Sequence, residues 1–164
     1  MIDILDNRIS PRLKELFEQD TQVFQLVIDA RIRRDDPLQV EDRRKNVAEA
    51  SDKLQQATEI LFEIVELSFQ VLDNGLSIWN IGFQPAMGDA GAGISAALAA
   101  ITTCLLVANV NLRSARSGWA RDAKSRCDEI QLRMMHAQNH AFGLVSQSIE
   151  KTELTLAMPL PQDH

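Results

Sequence analysis

One carboxylate, that of Asp20, occupies a position where the sequence pattern predicts an apolar residue. From Ser10-Pro11 to about Arg34, apolar residues recur every three or four positions, which predicts a helix with one apolar side. Asp20 interrupts that side, three residues after Phe17 and four before Phe24. Burial raises the pKa of a carboxyl group and costs free energy unless the group is paired. Asp20 is therefore a candidate for acid–base chemistry, and an ion pair with an arginine of another helix is the structural alternative.

A second candidate lies at the start of an uncharged run, residues 90–112. Asp89 directly precedes this run and is a favoured N-cap residue, and Gly91 and Gly93 follow it. The amides at a helix N-terminus attract anions, and glycines leave them accessible. The motif fits an anionic ligand, and it equally fits a simple cap beside closely packed helices.

A third candidate is a polar line along the same run. Ser95, Thr102 and Asn109 are seven residues apart, so they lie nearly in line on a helix, and Arg113 continues that line. Polar groups on a buried helix need hydrogen-bonding partners. Neighbouring helices would supply them, or a polar small molecule held between two chains would.

Charge and composition exclude several classes of function. The net charge of -6 and the pI near 5.0 disfavour nucleic acid as a partner. His136 and His140 lack a third metal ligand near by in sequence, so we expect them to face solvent and predict no metal site. Cys104 and Cys127 fall inside helical patterns, which favours buried free thiols in a reducing compartment. We expect a cytoplasmic protein.

The elements that position these residues are helices. Few glycines and prolines and recurrent leucine, alanine, glutamine and glutamate predict an all-α chain. We expect a single domain, residues 1–164, forming an antiparallel bundle of four main helices. They are residues 10–34, 41–72 with a possible extension to 81, 90–112 and 119–156, with a loop over residues 82–88. The uncharged helix is long enough to span a membrane, but its alanines and glycines favour the centre of a bundle.

Four segments occur in an order that resembles a known family. They are Leu16-Phe-Glu-Gln-Asp-Thr-Gln-Val-Phe24, Ala57-Thr-Glu-Ile-Leu-Phe62, Gly88-Asp-Ala-Gly-Ala-Gly93 and Val107-Ala-Asn-Val-Asn-Leu112. Their order and spacing resemble those of folate cyclodeaminases and methenyltetrahydrofolate cyclohydrolases over roughly residues 12–116. The resemblance implies a chain that is shortened at its amino end, because family members begin with a further helical region.

This resemblance implies a function in folate one-carbon metabolism. The substrate would be a tetrahydrofolate derivative, with no covalently bound cofactor, and Asp20 and Asp89 would act as acid–base or orienting groups. Asn109 would hold the pterin or formyl oxygen beside Thr102, and Gly91, Gly93 or Arg113 would meet the carboxylates of the glutamate tail. The protein would be a homodimer or pair with a longer paralogous chain.

The alternative is a non-catalytic helical interaction protein, or a subunit of a heteromeric complex, derived from that family. A long uncharged helix in a four-helix unit leaves apolar surface exposed, and such surface usually marks an interface. Both hypotheses predict a partner chain and no contact with a membrane.

Overall fold

The computed structural model describes residues 5–36, 41–82, 84–115 and 118–157, and these ranges contain helices and no strand. The elements are a π-helical turn (Leu5–Ile9), α1 (Ser10–Asp35), α2 (Arg43–Ile81), α3 (Gln84–Ser114) and α4 (Trp119–Ala157). The predicted all-α class is therefore confirmed, and so are four main helices within the described residues.

Helix α1 begins at Ser10 without a side-chain cap. The residue before the helix is Ile9, whose backbone is already helical, and its side chain makes no capping hydrogen bond. The cap is unnecessary because the π-helical turn runs directly into α1. Pro11 lies in the first turn, where its missing N–H costs nothing.

The predicted loop over residues 82–88 is wrong, because the turn between α2 and α3 is much shorter. Gly82 ends α2 in the left-handed region, with φ of 75°, and its N–H donates to the carbonyl of Trp79. Helix α3 already begins at Gln84, because a proline at position 85 fits the first turn of a helix. Gly75 does not end α2 either, since it is buried within that helix.

The central helix of the bundle is α2, which corrects the expectation that the uncharged helix would be central. Helix α2 packs against α1, α3 and α4, whereas α3 packs against α2 and α4 only. The outer side of α3 is exposed, including Leu106 and Val110. The main core joins α2, α3 and α4, and its members include Phe62, Phe69, Val65, Ile101 and Ile130. Absence of charge thus does not identify the central helix.

Helix α2 can be central despite its charges because arginines of α4 neutralise them at the edge of the core. Two arginines each pair with a glutamate of α2 and lie over a phenylalanine ring three residues further on. The sets are Arg126 with Glu59 (2.6 Å) and Phe62 (4.1 Å), and Arg133 with Glu66 (2.7 Å) and Phe69 (3.9 Å). A cation over an aromatic face adds to the pairing. These two sets are called the arginine clamps below.

One helix of the described chain, Pro85–Ser114, has the length and apolar composition to cross a membrane. Core helices of soluble proteins pass the same test, and one such helix is weak evidence for a span. About a third of its most apolar window is buried against other helices. The rest forms an exposed apolar side, which needs a cover of some kind.

Candidate functional site

Asp20 of α1 and Cys104 of α3 mark the most chemically unusual part of the described chain. Asp20 is half-buried, and the loss of solvent raises its pKa. Among the described residues, no hydrogen bond or ion pair to its carboxylate is found, so the predicted alternative of an arginine partner is not what the structure contains. Burial raises the pKa of the Cys104 thiol to about 11, and the negative charge of Asp20 adds to that shift.

The two residues lie on opposite sides of the space between α1 and α3. Helices α1 and α3 both pack on α2, but no Cα atom of α1 lies within 8 Å of one in α3 across the described residues. The side chains between them therefore border a channel with α2 as its floor. We call this the α1–α3 groove, and its border residues are Phe17, Asp20, Phe24 and Arg31 on α1, and Cys104, Asn111 and Ser114 on α3.

Two aromatic rings flank the carboxylate of Asp20. Phe17 precedes it by three residues and Phe24 follows it by four, so all three share one side of α1. Both rings are exposed, although phenylalanine is usually buried. At the far end of the groove, the Arg31 guanidinium donates to the Ser114 hydroxyl at 3.3 Å. The border thus offers apolar faces, one carboxylate and one cation.

The floor of the groove contains a polar link that the sequence analysis missed. The Asn111 side-chain amide donates to the Thr58 hydroxyl at 3.3 Å, and Thr58 in turn donates to the carbonyl of Leu54 at 2.8 Å. Thr58 is fully buried. Asn111 lies seven residues after Cys104, hence on the same line of α3, and that spacing was the available signal.

The predicted anion site at Asp89 is wrong in its geometry. Helix α3 begins at Gln84, so Asp89 lies in the second turn and is not the N-cap. Gly91 and Gly93 come later still, where amides donate to carbonyls of their own helix instead of to a ligand. Gly91 packs against Trp79, and a Cβ atom there would lie 3.2 Å from its ring. Gly91 thus allows close packing, and neither glycine leaves an open amide.

Asp89 is exposed and lies far from Asp20. It is fifteen positions from Cys104 on α3, which is roughly 22 Å at 1.5 Å per residue. The two aspartates of one chain therefore do not meet at a common substrate atom. The role of Asp89 in acid–base chemistry stays a prediction, and it requires Asp89 to approach from a second chain.

The predicted polar line on α3 is largely satisfied within that helix. Ser95, Thr102 and Asn109 each donate to a backbone carbonyl four residues earlier. The Thr102 hydroxyl also lies 3.3 Å from the sulfur of Met134, so this line faces α4 and not the α1–α3 groove. Arg113 is exposed. Substrate binding by Thr102, Asn109 and Arg113 stays a prediction for the α4 side of α3.

The comparisons with known proteins decide the family. The family model described as formiminotransferase-cyclodeaminase matches residues 1–129. The chain belongs to the formiminotransferase-cyclodeaminase family. The resemblance seen in the sequence is thereby confirmed. Comparison with curated proteins and with solved structures gave no match.

The match contains every border residue of the α1–α3 groove. It covers α1, α2 and α3 and ends within the first third of α4. The formiminotransferase-cyclodeaminase family is folate-related, so a folate-related role applies to this chain at that coarse level. The remainder of α4 lies beyond the matched residues.

Other candidate groups in this family member are structural or solvent-facing. His136 and His140 are both exposed, as predicted, and the described ranges contain no cluster of three or more histidine, cysteine, aspartate or glutamate residues suited to a metal ion. Cys104 and Cys127 are buried free thiols, which confirms the prediction. Burial also raises the pKa of Cys127.

Proposed function

We propose that this chain binds a one-carbon-substituted tetrahydrofolate in the α1–α3 groove and that Asp20 transfers protons at its one-carbon unit. The activity would be that of a methenyltetrahydrofolate cyclohydrolase or a formiminotetrahydrofolate cyclodeaminase. The observation that carries the proposal is the half-buried Asp20, whose raised pKa and lack of an ion-pair partner among the described residues fit an acid–base group. It lies within the part of the chain that matches the family.

Both reactions suit a carboxyl group with a raised pKa. In cyclodeamination, N10 attacks the formimino carbon and loses its proton as the new C–N bond forms, and the bond from that carbon to the formimino nitrogen breaks as this nitrogen takes up a proton and leaves as ammonia. In the cyclohydrolase reaction, water loses a proton and adds to the methenyl carbon, and the bond from that carbon to N5 breaks as N5 is protonated and the new hydroxyl group loses its proton to become the formyl oxygen. Asp20 would donate the proton to the leaving ammonia or accept the proton from water.

The groove offers matching contacts for the rest of the substrate. The exposed rings of Phe17 and Phe24 suit stacking with a flat pterin on either side of Asp20. Arg31 follows Asp20 by eleven positions, roughly 16 Å along the helix. That separation is on the scale of an extended folate from its pterin to its glutamate carboxylates, and a guanidinium pairs well with a carboxylate.

We further propose that the four helices form an antiparallel bundle. Arg12 pairs with Glu63 and Arg33 pairs with Glu49, so residue numbers rise along α1 while they fall along α2. The Asn111–Thr58 bond and the contact of Gly75 with Ile94 favour the same opposed directions for α2 and α3. Short connections between the helices agree with this topology.

The partner chain is proposed to be a second copy of this protein. The exposed side of α3 leaves Leu106, Val107 and Val110 in contact with solvent. A soluble protein covers such surface by self-association or by binding another chain. A dimer would also be the route by which Asp89 of one chain could approach Asp20 of another.

The decisive experiment follows the absorbance decay of methenyltetrahydrofolate with the purified chain. Asp20→Asn should lower the rate by about 100-fold or more, because the amide cannot exchange the proton. Glu18→Gln is the matched control, since Glu18 is an exposed carboxylate two residues earlier in α1. A rate that exceeds the buffer reaction but is equal in Asp20→Asn would overturn the role of Asp20.

A second variant addresses the remaining aspartate. If Asp89→Asn lowers the rate as deeply as Asp20→Asn does, Asp89 acts on the same substrate from another chain. If mixing the two inactive variants then restores activity, the site is built from two copies.

The second candidate function is a non-catalytic interaction protein. The exposed apolar side of α3 favours it, because binding another chain needs no acid–base group. Folate titration separates the two candidates: no binding and no rate above buffer would leave the interaction protein, whereas saturable binding that is weakened in Arg31→Gln supports the folate site.

A further inference from the structure

The outer side of α4 has an apolar stripe that packs against nothing in the described chain. Its exposed members are Leu132, Met135, Phe142 and Ile149, of which Phe142 is 74% exposed and Leu132 is 59% exposed. They recur at the three- and four-residue spacing of a coiled-coil seam, with Asn139 within the stripe. No aspartate, glutamate, lysine or arginine occurs from residue 134 to residue 149.

This stripe adjoins the exposed side of α3. Successive side chains of a helix point in directions about 100° apart, as those of Arg133, Met134 and Met135 do. They point in turn to α2, through the pair with Glu66, to α3, through the contact with Thr102, and outward. The stripe therefore lies past the α3 side of α4, opposite α2.

Three successive side chains of α3 point in the corresponding directions. Ile101 is in the core with α2, Thr102 contacts α4, and Thr103 is exposed. The exposed side of α3 that includes Leu106 and Val110 thus adjoins the α4 stripe at its Leu132 end, because residue numbers run in opposite directions along the two helices from the contact of Thr102 with Met134. We call the joint surface of Leu106, Val110, Leu132, Met135, Phe142 and Ile149 the α3–α4 outer face.

We infer that the α3–α4 outer face is the surface on which a second copy of this chain docks. This inference rests on the self-association proposed above and locates it, largely on residues of α4 that lie beyond the family match. In a two-fold dimer the same surface meets itself. The uncharged runs 90–112 and 134–149 let most of this face meet its own copy without contact between like charges, and Asp128, one turn before Leu132, is paired with Lys124 of its own helix.

The exposed area is of the size that a stable dimer needs. The six side chains expose on the order of 600 Å² in total, judged from their exposed fractions. The neighbouring Val107 and Val145 are exposed as well and bring the apolar area towards about 800 Å², the usual contribution of one partner to a specific interface. Neither of the uncharged runs 90–112 and 134–149 carries a lysine or arginine, which a helix lying on an anionic lipid surface would use.

The test compares two matched substitutions by light scattering after size exclusion. Leu132→Glu places a charge on the face, and Ile32→Glu places the same charge on α1 at a residue of similar exposure, 65%. The wild-type chain and Ile32→Glu should be dimers at micromolar concentration, while Leu132→Glu should raise the dimer dissociation constant by about tenfold or more. A monomeric wild type, or equal dimers in both variants, would overturn the inference.

A second measurement does not depend on adding a charge. Met135→Cys and Ile32→Cys each introduce one exposed thiol, and both native cysteines are buried. The labelling rate of the cysteine at position 135 should fall as protein concentration rises, and that at position 32 should not. Equal, concentration-independent labelling would contradict docking here. A dimer by both tests with no folate binding would sink the proposed function alone, and a monomer that binds folate would sink this inference alone.

Discussion

The side-chain amide of Asn111 on α3 donates to the hydroxyl of Thr58 on α2 at 3.3 Å. Thr58 is 1% exposed, so this bond joins two helices beneath the α1–α3 groove and out of reach of water. A buried polar link of this kind holds the two helices in one relative position, and that position sets where Cys104 lies along the border of the groove.

Thr58→Val should lower the free energy of unfolding by about 1–2 kcal/mol, because it keeps the shape of the side chain and leaves the Asn111 amide without its acceptor. Thr103→Val is the control. Thr103 is exposed and its hydroxyl donates to the carbonyl of Ala99 in its own helix, so the change should stay within about 0.5 kcal/mol. Urea unfolding measures both, and equal effects would show that the link contributes nothing.

The close approach of α2 and α3 at Gly75 leaves no room for a methyl group. A Cβ atom there would lie 2.8 Å from Cγ1 of Ile94, so Gly75→Ala should destabilise the fold by about 1–3 kcal/mol. At Gly93, an added Cβ atom has no neighbour within 4 Å, and Gly93→Ala should stabilise α3 by up to about 1 kcal/mol. Thermal unfolding should therefore shift in opposite directions, and a shared direction would refute the packing.

Asp20 should make the fold less stable as the pH rises. Its pKa is higher in the folded chain than in the unfolded chain, so folding favours the protonated form. The favourable contribution is fully present below the unfolded pKa, near 3.9, and is lost as the pH passes through the folded pKa. Asp20→Asn should thus raise Tm by about 1–3 °C at pH 7 and have little effect near pH 3.5. A gain that is equal at both pH values would contradict the burial of this carboxylate.

The proximity of Asp20 and Cys104 can be tested through thiol chemistry. With a pKa of about 11 and little exposure, Cys104 should react slowly with iodoacetamide at pH 8. Asp20→Asn removes the nearby negative charge and should lower the pKa of Cys104, so its alkylation rate should rise. Cys127 is the internal control, because no effect of Asp20 acts on it. Peptide mass spectrometry reads both sites, and an unchanged Cys104 rate would place the carboxylate elsewhere.

The sequence predicts helix bounds well where apolar periodicity marks them and poorly where glycine and proline determine the turn. The apolar spacing places the end of α1 within one residue of Asp35. It also singles out Asp20, because a carboxylate within an apolar pattern is a local signal. The predicted loop over residues 82–88 is wrong because it takes glycine and proline to break the helix, whereas Gly82 ends α2 and Pro85 fits the first turn of α3.

What surrounds Asp20 could not be predicted, because it depends on contacts between helices. The approach of Cys104 requires the relative position of α1 and α3, and no local pattern contains that distance. Asn111 points about half a turn away from Asn109, so the predicted polar line does not include it. That half turn is what directs Asn111 to Thr58, while Asn109 remains bonded within its own helix.

The arginine clamps imply that α4 cannot slide along α2 by small steps. Arg126 and Arg133 each reach a residue 67 positions earlier, so both contacts form at one alignment. A shift of three or four residues would separate both guanidinium groups from their glutamates, and a shift of seven would place Arg126 beside Glu66 and Arg133 beside Asp73, but Arg133 would then face Leu76 instead of a phenylalanine ring. The two clamps together thereby fix the position of α4 along α2, and the part of α4 that extends past the family match is held at one position in the bundle.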